Sequence, residues 1–293
     1  MILRSLLFVP GDSERKLAKA QLSKADALVL DLEDAVAAER LPVARGMVRD
    51  YLKSRTDRSK QQLWVRVNPL QTPLALDDLA AVMPGAPDGI MLPKCDSAAQ
   101  TVTLDHYLSA LEAREGLARG ATKILPVATE TPRAMFALDS YVGASDRLVA
   151  LTWGAEDLSS AIGASTNRLP DGEYEFTYKL ARALCLLGAH AAGVAAIDTV
   201  WTNFRDAEGL AADSQAARRA GFSGKIAIHP DQVDVINSAF SPDEKEVAAA
   251  QRVIDAFASA KGAGAVQLDG RMLDKPHLTQ AQKLLQLAAH LRR

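Results

Sequence analysis

Short runs of Leu, Val and Ile recur along the chain, separated by longer stretches in which apolar residues return every three or four positions. The short runs are nearly continuous in apolar residues rather than alternating. That is the pattern of parallel strands with helices on one face and a packed interior on the other. Eight such strands are predicted, at residues 5–9, 27–30, 63–67, 89–92, 123–127, 148–152, 195–197 and 225–228. The amphipathic stretches between them predict helices at 13–23, 42–53, 97–114, 173–187 and 206–220. Ser13 and Asp206 are the expected N-caps, and Gly188 and Gly221 the expected stops.

Strand and helix in alternation imply βα units around a parallel sheet, and eight strands is the number that closes a (β/α)8 TIM barrel. A doubly wound sheet would favour a glycine-rich phosphate turn after the first strand. The turn here, Val9-Pro10-Gly11-Asp12-Ser13, has a single glycine. Two more helical segments follow the eighth strand, at 243–260 and 277–291, separated by a glycine-punctuated stretch at 262–270. The expected division is therefore a barrel over 1–240 and a C-terminal helical extension over 241–293, a lid or arm that packs on a neighbouring subunit.

Polar residues gather where the apolar runs stop: Asp31 with Glu33 and Asp34, Arg66 with Asn68, Lys94, Glu130, Glu156 with Asp157, Asp198, and His229. Barrel enzymes build their active sites from these strand exits. Glu130 and Asp157 follow the fifth and sixth strands, which are neighbours on one rim, and a divalent cation would relieve the repulsion between them. All-oxygen ligands with room for water suit Mg²⁺ or Mn²⁺ rather than zinc. The competing reading gives each carboxylate a helix N-terminus to stabilise. Arg66 sits among apolar residues and requires an anion, either Asp31 or Glu33 structurally, or a substrate carboxylate or developing oxyanion. Asp31, Glu33, Lys94 and Glu156 are read as an outer set that orders water and the arginine. His229 stands before Pro230, where a general base and a structural turn are both open readings. No lysine stands in a conspicuously apolar strand centre, so metal-assisted aldol chemistry gains over a Schiff base.

Bulk composition narrows the rest. The hydrophobic fraction is 48%, charged residues are 24%, and the formal net charge of −2 leaves no basic footprint for nucleic acid. Cys95 and Cys185 form no disulfide or zinc spacing, and no apolar run is long enough to cross a membrane. A cytoplasmic protein is expected.

Several segments occur together in a telling order: Arg4-Ser5-Leu6-Leu7-Phe8-Val9-Pro10-Gly11, Asp31-Leu32-Glu33-Asp34-Ala35-Val36, Val65-Arg66-Val67-Asn68, Leu92-Pro93-Lys94, Glu130-Thr131-Pro132, Gly154-Ala155-Glu156-Asp157-Leu158 and Ala227-Ile228-His229-Pro230. In this order they resemble the HpcH/HpaI aldolase and citrate lyase β-subunit (CitE-like) family, which includes malyl-CoA and citramalyl-CoA lyases. The resemblance runs from about residue 4 to Gly270-Arg271-Met272-Leu273-Asp274. It implies a (β/α)8 barrel assembled as a homotrimer, with Mg²⁺ held by Glu130 and Asp157 and with Arg66 on the 2-oxoacid portion of the substrate. It implies that Asp274 reaches a neighbouring subunit's active site, and that Phe8 and Lys19 contact CoA. The position often held by arginine in the family is Ser13 here, with Arg15 nearby. The implied reaction is retro-aldol or Claisen-type cleavage, or formation, of a 3-hydroxyacyl-CoA thioester such as malyl-, citramalyl- or citryl-CoA, giving an acyl-CoA and a 2-oxoacid. Three alternatives stand beside it: a citrate lyase β subunit acting on citryl-acyl carrier protein, a CoA-independent class II 2-oxoacid aldolase, and a catalytically idle barrel.

Overall fold

A computed structural model describes residues 2–260, 262 and 264–291. The chain divides into two compact units, 1–237 and 238–293. Parallel strands β1 (Ser5–Pro10), β2 (Ala27–Asp31), β3 (Gln62–Arg66), β4 (Gly89–Leu92), β5 (Lys123–Pro126), β6 (Ala150–Thr152), β7 (Ala195–Asp198) and β8 (Gly224–Ala227) make up the first unit's sheet. They pair in the order β5-β4-β3-β2-β1-β8-β7-β6. Isolated parallel bridges, Ile124 with Leu148 and Val127 with Thr152, complete the ring between β5 and β6. The (β/α)8 barrel expected from the apolar runs is the observed fold.

Around the strands run α1 (Glu14–Ala20), α2 (Leu41–Ser54), α3 (Leu74–Val82), α4 (Ala98–Glu115), α5 (Ala155–Ala161), α6 (Phe176–Ala191), α7 (Ala207–Ala220) and α8 (Gln232–Ala239). Ser13 accepts a hydrogen bond from the Lys16 amide, and Asp206 accepts one from the Gly209 amide, so both cap as expected. Gly221 ends α7 in the left-handed conformation at φ +116°. Gly188 corrects the expectation, because α6 runs through it to Ala191. A Cβ there would come within 3.3 Å of the Leu138 Cβ, so the glycine serves close packing rather than termination. No α-helix joins β5 to β6; two 3₁₀ turns, Ala134–Phe136 and Leu138–Tyr141, take its place.

The barrel interior is filled by Leu6, Ala27, Val29, Trp64, Met91, Leu125, Ala150, Ile197 and Ile226. Trp64 is the largest of them, fully buried, with its indole N–H on Gln62 Oε1 at 2.9 Å. It fits because the next strand offers no side chain at Gly89, where a Cβ would stand 2.3 Å from the Trp64 ring. Sequence reasoning also passed over a buried lysine. Lys225, read only as the polar first residue of the eighth strand, is 1% exposed on β8. Asp198 and Asp213 stand 2.8 and 2.7 Å from its ammonium and replace the water it has lost.

In the second unit, α9 (Glu244–Ser259) starts with a reciprocal capping box between Asp243 and Glu246. The glycine-punctuated stretch forms an antiparallel hairpin, β9 (Ala265–Leu268) and β10 (Arg271–Asp274), before α10 (Lys275–Leu291). Its turn residues Asp269 and Gly270 both have positive φ, the geometry that two-residue hairpins favour.

Replacing Gly89 with alanine should destabilise the barrel by about 1–3 kcal/mol, read from the urea midpoint, by driving a methyl group into Trp64. Adding Trp64→Phe should recover part of that loss. Simple additivity of the two substitutions would refute this packing account.

Candidate active site

The site begins with strand register. Asp31 and Arg66 are paired residues at the ends of β2 and β3, so their side chains leave the sheet on the same side. Arg66 forks onto Asp31, Nε to Oδ1 and Nη2 to Oδ2, both at 2.7 Å. The Asp31 carboxylate also accepts the amides of Glu33 and Ala35 at 3.0 and 3.1 Å, which folds the β2 exit back on itself. The guanidinium lies 4.6 Å from the Phe8 ring centroid, so Phe8 on β1 forms the floor beneath it. Burial alone would lower the Arg66 pKa, but the Asp31 hydrogen bonds and charge outweigh it and hold the group well above its ordinary value.

The third edge of the guanidinium, Nη1, lies 2.9 Å from Glu33 Oε2 and 3.5 Å from Asp34 Oδ2. The Glu33 contact is off-axis and leaves Oε2 without a hydrogen bond. Burial raises Glu33 to a pKa of about 7, against the pull of Arg66 and Lys94. Asn68 stands behind this corner as a strut: its side-chain amide donates to the Leu32 carbonyl and to the buried Asp78, each at 2.8 Å.

Across the rim, Lys94 follows β4 with φ +52°, a rare posture for a residue with a side chain. Its amide donates to Glu130 Oε2 at 2.6 Å, while its ammonium lies 2.6 Å from Glu33 Oε1 and 3.3 Å from Asp157 Oδ1. Glu130 is 5% exposed, and no donor among the described residues meets its Oε1. Burial, followed by the charge of Asp157, pushes its pKa up to about 8. Gly154 makes room for this side chain, since a Cβ there would come within 2.8 Å of the Glu130 Cγ. Asp157 lies in the first turn of α5, and Glu156 beside it accepts from Asn167 Nδ2 at 2.9 Å.

These residues surround a cavity of about 410 Å³ at the C-terminal ends of the strands, with Phe8, Asp31, Arg66, Glu130, Glu156 and Asp157 in its wall. Sequence reasoning missed its apolar floor of Val127, Trp153 and Ile226, although all three lie in or beside the apolar runs. Among the described residues no three His, Cys, Asp or Glu side chains form a ready-made metal cage. An ion between Glu130 and Asp157 would keep positions open for water or substrate.

The remaining expected residues lie elsewhere. Lys19 and His229 line a second cavity of about 490 Å³ with Arg15 and Lys16, and Phe8, Pro10 and Ile228 belong to both cavities. His229 stacks on Phe204 with centroids 5.0 Å apart and is not in the wall of the first cavity. Asp198 is fully buried, bound to Trp153 Nε1, Arg182 and Lys225, and is not in the wall of the first cavity. In the second unit Asp274 ends β10, with the His277 ring Nδ1 2.6 Å from its Oδ1.

Residues 4–230 match the family model for HpcH/HpaI aldolase/citrate lyase. The citrate lyase subunit beta of Leuconostoc mesenteroides subsp. cremoris is 36% identical over 287 residues, covering 97% of this chain and 93% of the relative. A (3S)-malyl-CoA thioesterase of Cereibacter sphaeroides is 34% identical over 284 residues, covering 96% of this chain and 93% of that protein. Among solved structures, CitE from Mycobacterium tuberculosis in complex with magnesium, acetoacetate and coenzyme A has a TM-score of 0.81 at 35% identity and covers 98% of both chains. Likeness over nearly the whole length, on a barrel whose carboxylates meet at one rim, leads to a single assignment: the chain belongs to the HpcH/HpaI aldolase/citrate lyase family of enzymes.

Proposed function

We propose that the chain is a Mg²⁺-dependent carbon–carbon lyase that cleaves, or forms, a 3-hydroxyacyl-CoA thioester, with an acyl-CoA and a 2-oxoacid as the other side of the equilibrium. The observation that carries this reading is the nearly buried Glu130 carboxylate, whose Oε1 meets no donor among the described residues, in the wall of the same cavity as Asp157. Among the described residues, Asp31, Glu33, Asp34, Glu130 and Asp157 pair with no cations but Arg66 and Lys94, an acidic excess that suits a hard dication. Glu130 and Asp157 would hold it, with Mn²⁺ as the natural substitute. When bound, the ion supplies Lewis-acid stabilisation of charge developing on substrate oxygen.

The chain's own residues do the rest. Arg66, locked on Asp31, presents a fixed positive edge to the carboxylate of the part that becomes the oxoacid. The apolar floor of Val127, Trp153 and Ile226 excludes water from the carbon chain. The substrate hydroxyl loses its proton to a base and its C–O bond becomes a carbonyl as the adjacent C–C bond breaks. The released electron pair enters a thioester enolate, which is then protonated on carbon. Asp274 of a neighbouring subunit is our candidate base, in a homotrimer whose 241–293 segments are exchanged arms. Phe8 and Lys19, on the second cavity, would meet the CoA portion. The magnesium and coenzyme A bound by the CitE relative support the cofactor and carrier. Two buried free thiols suit a cytoplasmic setting, and among the described residues no helix is long and apolar enough to cross a membrane.

A second reading, thioester hydrolysis, is favoured by the malyl-CoA thioesterase relative. A panel of malyl-, β-methylmalyl-, citramalyl- and citryl-CoA, with and without Mg²⁺, separates the two. Oxoacid released without free thiol supports the lyase; free thiol without an acyl-CoA product supports the hydrolase. Activity confined to a citryl group on an acyl carrier protein would move the assignment to a citrate lyase subunit.

Glu130→Gln and Asp157→Asn should each lower Mg²⁺-dependent turnover by at least about a thousandfold while leaving the fold intact. Wild-type turnover in both would end the metal assignment. Arm exchange has its own test: mixing the inactive variants Asp274→Ala and Glu130→Gln under subunit exchange should restore activity, because hybrid trimers contain some complete sites. Mixtures as inactive as their parents would refute it.

The raised Glu130 value also has a thermodynamic consequence. With chelator present, the folded state keeps this proton up to a pKa of about 8, whereas the unfolded chain loses it near the ordinary value of 4.5. The folded state therefore binds more protons across that window, and stability falls as pH rises, by at most about 1.4 kcal/mol per pH unit. Urea midpoints from about pH 5 to pH 8 should show a shallower decline in Glu130→Gln. An unchanged slope would mean that the carboxyl ionises normally.

A further inference from the structure

Lys94 touches both expected metal ligands, each through a different group. Its amide donates to Glu130 Oε2 at 2.6 Å, which leaves Oε1 free. Its ammonium lies 3.3 Å from Asp157 Oδ1, the other ligand. The left-handed backbone, φ +52°, turns one residue toward two walls of the cavity at once. The Lys94 carbonyl is tied down by Gln71 Nε2 at 3.0 Å, so the posture is held from both sides.

The ammonium is not committed to Asp157. It sits closer to Glu33 Oε1, at 2.6 Å, with Asp34 Oδ1 at 3.3 Å on another side. Its chain is about one third exposed, so the head can shift without leaving water behind it. We infer that Lys94 is an internal counter-ion for the metal site. In the metal-free protein its charge keeps Asp157, Glu33 and Asp34 from driving one another apart. An arriving dication takes Asp157 from it, and the ammonium withdraws onto Glu33 and Asp34. Lys94 is thus a positioning residue that keeps the ligands assembled and makes ion binding weaker, and more readily reversed, than the bare carboxylates would. The inference rests on Glu130 and Asp157 being the ligands.

Calorimetric titration of the full-length protein with Mg²⁺, without substrate, tests it. Lys94→Gly and Lys94→Asn both tolerate positive φ and remove the ammonium together with its alkyl stem, while keeping the backbone amide on Glu130. Each should bind Mg²⁺ at least about tenfold more tightly than wild type, because ion and ammonium no longer compete. Lys94→Arg, which keeps the charge, should stay within about threefold of wild type. In chelator the two neutral variants should melt below wild type, and Mg²⁺ should raise their melting temperatures by more. Equal or weaker Mg²⁺ binding in cooperatively folded Lys94→Gly and Lys94→Asn would overturn the counter-ion role. Glu130→Gln and Asp157→Asn in the same titration isolate the underlying assumption. If they abolish binding while the Lys94 variants fail to tighten it, the counter-ion inference alone fails. If they leave binding unchanged, the ligand assignment fails with it.

Discussion

Arg66 and Asp31 meet in a two-pronged ion pair at the edge of the barrel's interior, and the rest of the rim is arranged around it. An isolated guanidinium at the end of a buried strand is costly, and a lone carboxylate on its neighbour equally so. Together on adjacent strands, in register, each removes the other's penalty, and the pair becomes a rigid anchor. From it the amides of Glu33 and Ala35 are fixed, and Glu33 then holds the Lys94 ammonium. Lys94 in turn reaches Glu130 and Asp157. The chain of contact crosses the exits of β2, β3, β4, β5 and β6 without a break.

Much of this was legible in the sequence because the governing physics is local. Strands buried on both faces must be apolar throughout, so the eight runs could be read without knowing how they pair. The carboxylates after them stood out because packing alone gives no reason for them. What was not legible depends on partners distant in sequence. Lys225 reads as the polar start of a strand until Asp198 and Asp213 are seen around it. Gly188 looks like a helix stop until Leu138 fills the space beside it. Helix α3 escaped because Leu74–Val82 is apolar or small nearly all round, and one of its acids, Asp78, is turned inward. The turns that replace a helix after β5 gave no periodic signal at all.

The same distinction applies to the site. That Arg66 needs an anion followed from its neighbours; that Asp31 supplies both oxygens required the register of β2 on β3. The carboxylates could be named but not ranked. Burial separates Glu130, 5% exposed and with no donor on its Oε1 among the described residues, from the more open Asp157, and Gly154 explains how it fits. His229 was weighed as chemistry on its position after a strand, yet its ring faces the neighbouring cavity, stacked on Phe204.

The barrel's ring is not paired in the same way all around its circumference. Between β5 and β6 the continuous ladder gives way to isolated bridges at Ile124 and Val127. Glu130 leaves one side of that junction and Asp157 the other. A cation shared by the two, as proposed, would act as a clasp across a joint that isolated bridges hold, so that cofactor occupancy and closure of the cylinder would become one equilibrium rather than two.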